Sequence, residues 1–107
     1  GLGFACSANI GREVAVFEPT HGSAPKYAEY DTPIVNPIAM IESSCLMLDH
    51  IGETEKAKKI RSAIAEVIAE AKVRTYDMLK MRGKPDVVKQ GAASTIEMAN
   101  AIISKLK

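Results

Sequence analysis

Cysteine is scarce in this chain. Cys6 and Cys45 are the only two among 107 residues; they form no C-x-x-C pair and sit in unlike contexts. That argues against a disulfide framework and for a reduced, cytoplasmic setting in which both are small buried apolar side chains. Long apolar runs are missing as well. None approaches the roughly 18 to 20 residues of a membrane helix, so no membrane partner is expected. Nor is one sign of charge in excess. A net charge of +1 gives nucleic acid or an acidic lipid surface no electrostatic reason to bind. Gly1-Leu2-Gly3-Phe4-Ala5-Cys6 has neither an initiator Met nor a basic stretch. It is expected to continue something longer rather than to be a signal peptide. Internal repeats, low-complexity segments and the G-x-G-x-x-G dinucleotide fingerprint are all absent.

What is present is an ordinary apolar share, 47%, enough for a core. Residues 1–13, rich in Gly, Ser, Ala and Asn, read as a loop ending at Gly11. Val14-Ala15-Val16-Phe17 is the size of one buried strand, and Pro19, which cannot donate to a ladder, should end it. Residues 19–36 carry three prolines and Gly22 and form a long loop, a length that in compact domains usually signals function. Asn36-Pro37 starts a helix: Asn caps and Pro suits the first helical position. Ile38, Ile41, Cys45 and Leu48 share one face of it, and Gly52 is a plausible stop. A second helix runs from near Glu53 to about Lys72, with Ala57, Ile60, Ala63, Ile64, Val67, Ile68 and Ala71 at helical spacing and a solvated lysine cluster elsewhere. Met78 to Arg82 suggests a helical turn. Ser94 or Thr95 caps a final helix with Glu97 in its first turn and Ile96, Ala99, Ile103 and Leu106 on its apolar side. One strand and three helices make an odd free-standing domain, because a lone strand has nothing to pair with.

Chemically specific residues concentrate in Glu18-Pro19-Thr20-His21-Gly22-Ser23-Ala24-Pro25-Lys26-Tyr27, with Asn36 closing the loop. The cluster follows directly on the strand, where ligand sites of open α/β sheets lie. Gly22 lets backbone approach a ligand without a Cβ, and Ser23 and Ala24 leave backbone amides accessible. Lys26 and Tyr27 pair a point charge with a phenol, which suits a phosphate monoester. An exposed Lys-Tyr pair with no ligand is the alternative. Asn36 is fully explained as a cap, His50 as a helix-end residue beside the dipole, and Asp77 as a structural loop residue.

Ser7-Ala8-Asn9-Ile10-Gly11, Phe17-Glu18-Pro19-Thr20-His21-Gly22-Ser23-Ala24-Pro25 and Asn36-Pro37 together resemble the isocitrate/isopropylmalate dehydrogenase family, the β-decarboxylating dehydrogenases. The similarity runs through the chain to Ser94-Thr95-Ile96-Glu97. It implies an α/β fold that is not the doubly wound nucleotide fold. The family's large domain combines N- and C-terminal parts of the polypeptide around a mixed sheet flanked by helices. Residues 1–107 match its C-terminal, cofactor-binding segment, without the N-terminal, substrate and dimer regions.

The resemblance also implies roles. His21 and Asn36 lie at the adenine, and the backbone of Gly22, Ser23 and Ala24 lies along the adenosine and diphosphate. Glu18 lies near the nicotinamide ribose, with Ser7 to Asn9 also near the cofactor. Members that use NAD typically carry an acidic residue where Lys26 stands. Lys26 and Tyr27, with Tyr76 and Lys80 downstream, instead match the pocket that NADP-dependent isocitrate dehydrogenases place around the 2′-phosphate. Lys80 stands where Arg is familiar, which replaces a bidentate fork with a point charge. Cys6 replaces a common Pro, Glu29 replaces a usual Gly, and the stretch between Tyr27 and Asn36 is about two residues longer than in bacterial relatives, so the assignment of Asn36 rests on less than the others.

On this resemblance the intact protein is a cytoplasmic homodimer. It oxidatively decarboxylates isocitrate to 2-oxoglutarate with NADP and Mg²⁺ or Mn²⁺. The metal-binding aspartates, the catalytic Lys and Tyr and the substrate-binding arginines lie upstream, so no catalytic or metal-binding residue is assigned within 1–107 and the chain alone is expected to be inactive. The alternatives are the same segment of an isopropylmalate, homoisocitrate or tartrate dehydrogenase, or a non-catalytic cofactor-binding or dimerisation remnant.

Overall fold

The computed structural model describes residues 4–106. The expectation for Gly1 to Gly3 lies outside them. Among the described residues the elements are two strands, β1 (Cys6–Ile10) and β2 (Ala15–Pro19), and three helices, α1 (Ile38–His50), α2 (Thr54–Glu70) and α3 (Thr95–Ser104). Short 3-10 turns occupy Pro25–Glu29 and Val87–Gln90.

Residues 4–13 are not one loop, and the strand is not alone. β1 and β2 form an antiparallel hairpin in which Cys6 faces Pro19, Ala8 faces Phe17 and Ile10 faces Ala15. The Gly11 amide donates to the Val14 carbonyl at 2.8 Å and closes the turn. Ser, Ala and Asn are poor strand formers, so β1 exists because β2 supplies a ladder and α1 packs on both strands; tertiary context overrides propensity. β2 ends at Pro19, as a residue without an amide donor requires.

α1 begins where the Asn-Pro pair sets it, with Asn36 Oδ1 accepting from the Ile38 amide at 3.0 Å. It ends before Gly52, which takes φ 91°. Ile38 and Cys45 are buried and Ile41 is half-buried, but Met40 and Met47 are open to solvent, so α1 is covered on one side rather than all round. α2 ends earlier than expected because Ala71 turns left-handed at φ 55°. Arg61 of α2 clamps α1, reaching Asp49 at 2.8 Å and Glu42 at 3.6 Å.

Two cores result. Ile38, Ala63, Ile64, Val67, Met98 and Ile102 bind the three helices together. Ile34, Val87 and Ala92 form a second core, ringed by Tyr27, Tyr30, Tyr76, Leu79 and Met81. α3 buries Met98 and Ile102 and leaves Ile96 (58% exposed) and Ile103 (61%) open, with Leu106 also exposed just past its end, the reverse of the face expected from the sequence. Residues 78–82 form no helix. A closed turn stands there instead, with Leu79 donating to the Thr75 carbonyl and Met81 to the Tyr76 carbonyl, and Lys80 at φ 58° prevents helical continuation. No helix among the described residues is long and apolar enough to cross a membrane.

Candidate functional site

The second core gathers the candidate residues. After β2 the chain runs through His21, whose Nδ1 lies 2.8 Å from the Gly22 carbonyl, a contact that suits the Nδ1–H tautomer. Gly22 and Ser23 are exposed, and no atom lies within 4 Å of where a Gly22 side chain would begin. Ala24 then adopts φ 45°, ψ 60°, a left-handed conformation that costs a non-glycine residue about 1–2 kcal/mol. Its carbonyl accepts from the Tyr27 amide at 3.0 Å and starts the 3-10 turn.

That turn directs Tyr27 inward and leaves Lys26 on the surface. Lys26 Nζ lies over the Tyr27 ring, 4.9 Å from its centre. On its other sides the ring meets Tyr30 edge-on at 5.5 Å and Tyr76 at 6.1 Å. In a 3-10 turn, side chains three apart eclipse, so Tyr30 comes onto Tyr27 by local geometry. Tyr-x-x-Tyr was the available signal for Tyr30, which sequence reasoning passed over.

Tyr76 arrives from far along the chain, held by a polar clip. Asn36 is 3% exposed and uses both ends of its amide: Oδ1 accepts from the Ile38 amide at the start of α1, and Nδ2 donates to Asp77 Oδ2 at 3.1 Å. Thr75, fully buried, donates to the other Asp77 oxygen. Asp77 is therefore the structural loop residue expected, and the Asn36 side chain is committed to the fold. Burial, then hydrogen bonding to the Tyr27 phenol, then the Asp77 carboxylate push the Tyr76 phenol up to about 12. Lys80 is exposed and follows Tyr76 through the turn that Met81 closes.

The fold thus unites Lys26, Tyr27 and Tyr76 directly, and Asn36 with them through Asp77. Gly22, Ser23, Ala24 and His21 adjoin the group by chain continuity. Glu18 stands apart, exposed on β2 opposite Ser7. Sequence reasoning missed Gly83, where a methyl group would lie 2.6 Å from the Tyr27 hydroxyl.

Other chemistry is meagre. Burial, followed by the Glu42 carboxylate, raises the Cys45 thiol, so it is no ready thiolate; Cys6 is half-buried, and both are free. The lysines of α2 line a shallow groove in which Glu55 and Glu66 alternate with Lys58, Lys59 and Lys105, leaving little net field for an anion. His50 closes α1 with its ring 5.5 Å from that of Phe17. Among the described residues no three His, Cys, Asp or Glu side chains are grouped to hold a metal ion.

The elements make an α/β scaffold with a long loop after its second strand. The chain is a member of the isocitrate/isopropylmalate dehydrogenase family, whose model matches residues 1–102. It is 44% identical to an isocitrate dehydrogenase [NADP] of Staphylococcus aureus, over all of this chain and 24% of that protein. It is 42% identical to a 3-isopropylmalate dehydrogenase of Archaeoglobus fulgidus, over 99% of this chain and 28% of that one. A crystal structure of isocitrate dehydrogenase from Methylococcus capsulatus superposes on 99% of this chain and 28% of its own with a TM-score of 0.81, at 40% identity. The chain therefore spans about a quarter of the length of these relatives.

Proposed function

We propose that this chain is the C-terminal, NADP-binding segment of an enzyme that oxidatively decarboxylates isocitrate to 2-oxoglutarate. The observation that carries the reading is the meeting of Tyr27 with Tyr76, two phenols from distant segments, with Lys26 lying on the first. Phenols donate and lysines supply charge; a phosphate dianion has acceptors for both. Lys80, carried by the turn after Tyr76, adds the second charge.

In this reading the remaining loop residues hold the rest of the nucleotide. The backbone from Gly22 to Ala24 follows the adenosine and diphosphate, and open space above the exposed Gly22 fits such an approach. His21 presents a ring to the adenine. Asn36 adjoins the adenine in this reading, with its side chain bonded to the Ile38 amide and to Asp77. Glu18, exposed at the end of β2, faces the nicotinamide ribose. The chemistry supplied by the cofactors is hydride acceptance by nicotinamide and Lewis-acid assistance to decarboxylation from Mg²⁺ or Mn²⁺. The metal ligands and the reacting groups belong to the remainder of the homodimeric, cytoplasmic enzyme, so these 107 residues alone form no NADPH. The likeness to a 3-isopropylmalate dehydrogenase supports a second reading, in which the same segment serves a different 2-hydroxy acid.

The test is cofactor choice in the full-length protein. A hydrogen bond to a charged group contributes roughly 1.5 to 3 kcal/mol, and a tenfold change in kcat/KM corresponds to about 1.4 kcal/mol. Lys26→Asp with Tyr27→Ile removes about two such contacts and adds a carboxylate that suits the NAD ribose. NADP efficiency should fall at least ~100-fold while NAD efficiency holds or rises. An unchanged NADP:NAD ratio would show that this loop does not meet the phosphate.

A further inference from the structure

Gly83 has no turn to serve. Gly52 and Gly91 take positive φ and Gly83 does not, so its backbone would accept an alanine. What forbids a side chain is Tyr27. A methyl group at Gly83 would lie 2.6 Å from the phenol oxygen, 2.9 Å from the carbon bearing it and 3.0 Å from the next ring carbon. The nearest is the hydroxyl at the tip of the side chain, and the other two are atoms of a ring packed on several sides. Tyr30 and Tyr76 flank the ring, Lys26 covers it, and it packs against the core of Ile34 and Val87. To admit a methyl group the ring must shift, and the shift moves its hydroxyl relative to Tyr76.

We propose that Gly83 is a specificity-positioning residue: its missing side chain is the seat that places the Tyr27 hydroxyl beside Tyr76, so that two phenols converge on one anion. This rests on the reading that Lys26, Tyr27 and Tyr76 meet the 2′-phosphate. Gly83 itself touches no cofactor in this arrangement. It acts through Tyr27, and its loss should be felt only by the nucleotide that carries the extra phosphate.

The experiment is a double-mutant cycle in the full-length protein, with dissociation constants for NADPH and NADH measured by calorimetric titration. Gly83→Ala should weaken NADPH binding about tenfold, the loss of one charge-assisted hydrogen bond, and leave NADH within about twofold. In a Tyr27→Ala background, Gly83→Ala should change neither constant, because the atoms it would strike are gone. If Gly83→Ala does not fold, the double variant should fold and bind NADH as Tyr27→Ala does; failure of both to fold would show that Gly83 serves packing instead. Equal weakening of both nucleotides, or a further loss in the Tyr27→Ala background, would also overturn the seat. If Tyr27→Ala alone leaves the NADPH:NADH ratio unchanged, the phosphate reading falls and takes this role with it. If Tyr27→Ala shifts the ratio and Gly83→Ala does not, only the role of Gly83 falls.

Discussion

Tyr76 holds its proton for three reasons: it is half-buried, it shares a hydrogen-bonding neighbourhood with the Tyr27 phenol, and a carboxylate stands at Asp77. The folded state therefore keeps this phenol neutral up to about pH 12, against an ordinary value of 10.0. The sign of the linkage follows. Between those two pH values the native state binds more protons than the unfolded chain, so stability is complete below the lower one and is lost as pH rises toward the upper. Urea unfolding at a series of alkaline pH values should show that decline, and the tyrosinate absorbance should show a late phenol that belongs to Tyr76. Tyr76→Phe should remove both features; the absence of a late phenol would contradict the packing of Tyr27 on Tyr76. Two further residues near this pair, Ala24 and Lys80, occupy left-handed backbone. Such strain persists only where surroundings hold it, often at functional sites. Neither was legible beforehand, because alanine and lysine carry no signal for that conformation.

At the scale of elements, α3 shows what local chemistry can and cannot decide. Ser94 Oγ accepts from the Glu97 amide and Glu97 Oε1 accepts from the Ser94 amide, each at 3.1 Å, the reciprocal cap that the spacing of the two residues announced. Ser94→Ala should therefore cost about 1 kcal/mol, read as a lower urea midpoint with unchanged slope. A loss within error would mean the cap is redundant with neighbouring anchors. Those anchors are close: Thr95 Oγ1 donates to the Val35 carbonyl at 2.6 Å, and the Ala93 amide to the Arg74 carbonyl at 2.7 Å. They also explain the misassigned face. The helix carries two apolar stripes, one with Met98 and Ile102 and one with Ile96 and Ile103, and periodicity cannot choose between them. The pins to Val35 and Arg74 fix its rotation about its axis, and the first stripe turns inward.

The molecule as a whole is extended, 45 × 31 × 21 Å, with a radius of gyration of 14.5 Å. A compact chain of this length would have about 13 Å. Large apolar side chains stand open on every element: Ile10 on β1, Val16 on β2, Met40 and Met47 on α1, Ile68 on α2, and Ile96 and Ile103 on α3, with Leu106 just past its end. Surfaces of that kind associate in water. The 107-residue chain prepared alone should sediment above the mass of one chain and shift toward monomer when Ile96 and Ile103 are both changed to Lys. A clean monomer over a wide concentration range would refute this.

Several features were determined by neighbours along the chain. The Asn36-Pro37 start, the Ser94–Glu97 cap, the β2 stop at Pro19 and the chemically dense loop after it depend on contacts a few residues apart, and such contacts form wherever the segment is placed. The loop motif also carried the family resemblance, which the match over residues 1–102 supports. The pairing of β1, the rotation of α3 and the convergence of Tyr27, Tyr30, Tyr76 and Gly83 were decided only in three dimensions. Ser-Ala-Asn has no strand preference of its own, and a glycine without a turn has no local signature. Their meaning is set by which distant atom arrives beside them: a ladder partner for β1, and for Gly83 the phenol of a tyrosine held against the second core.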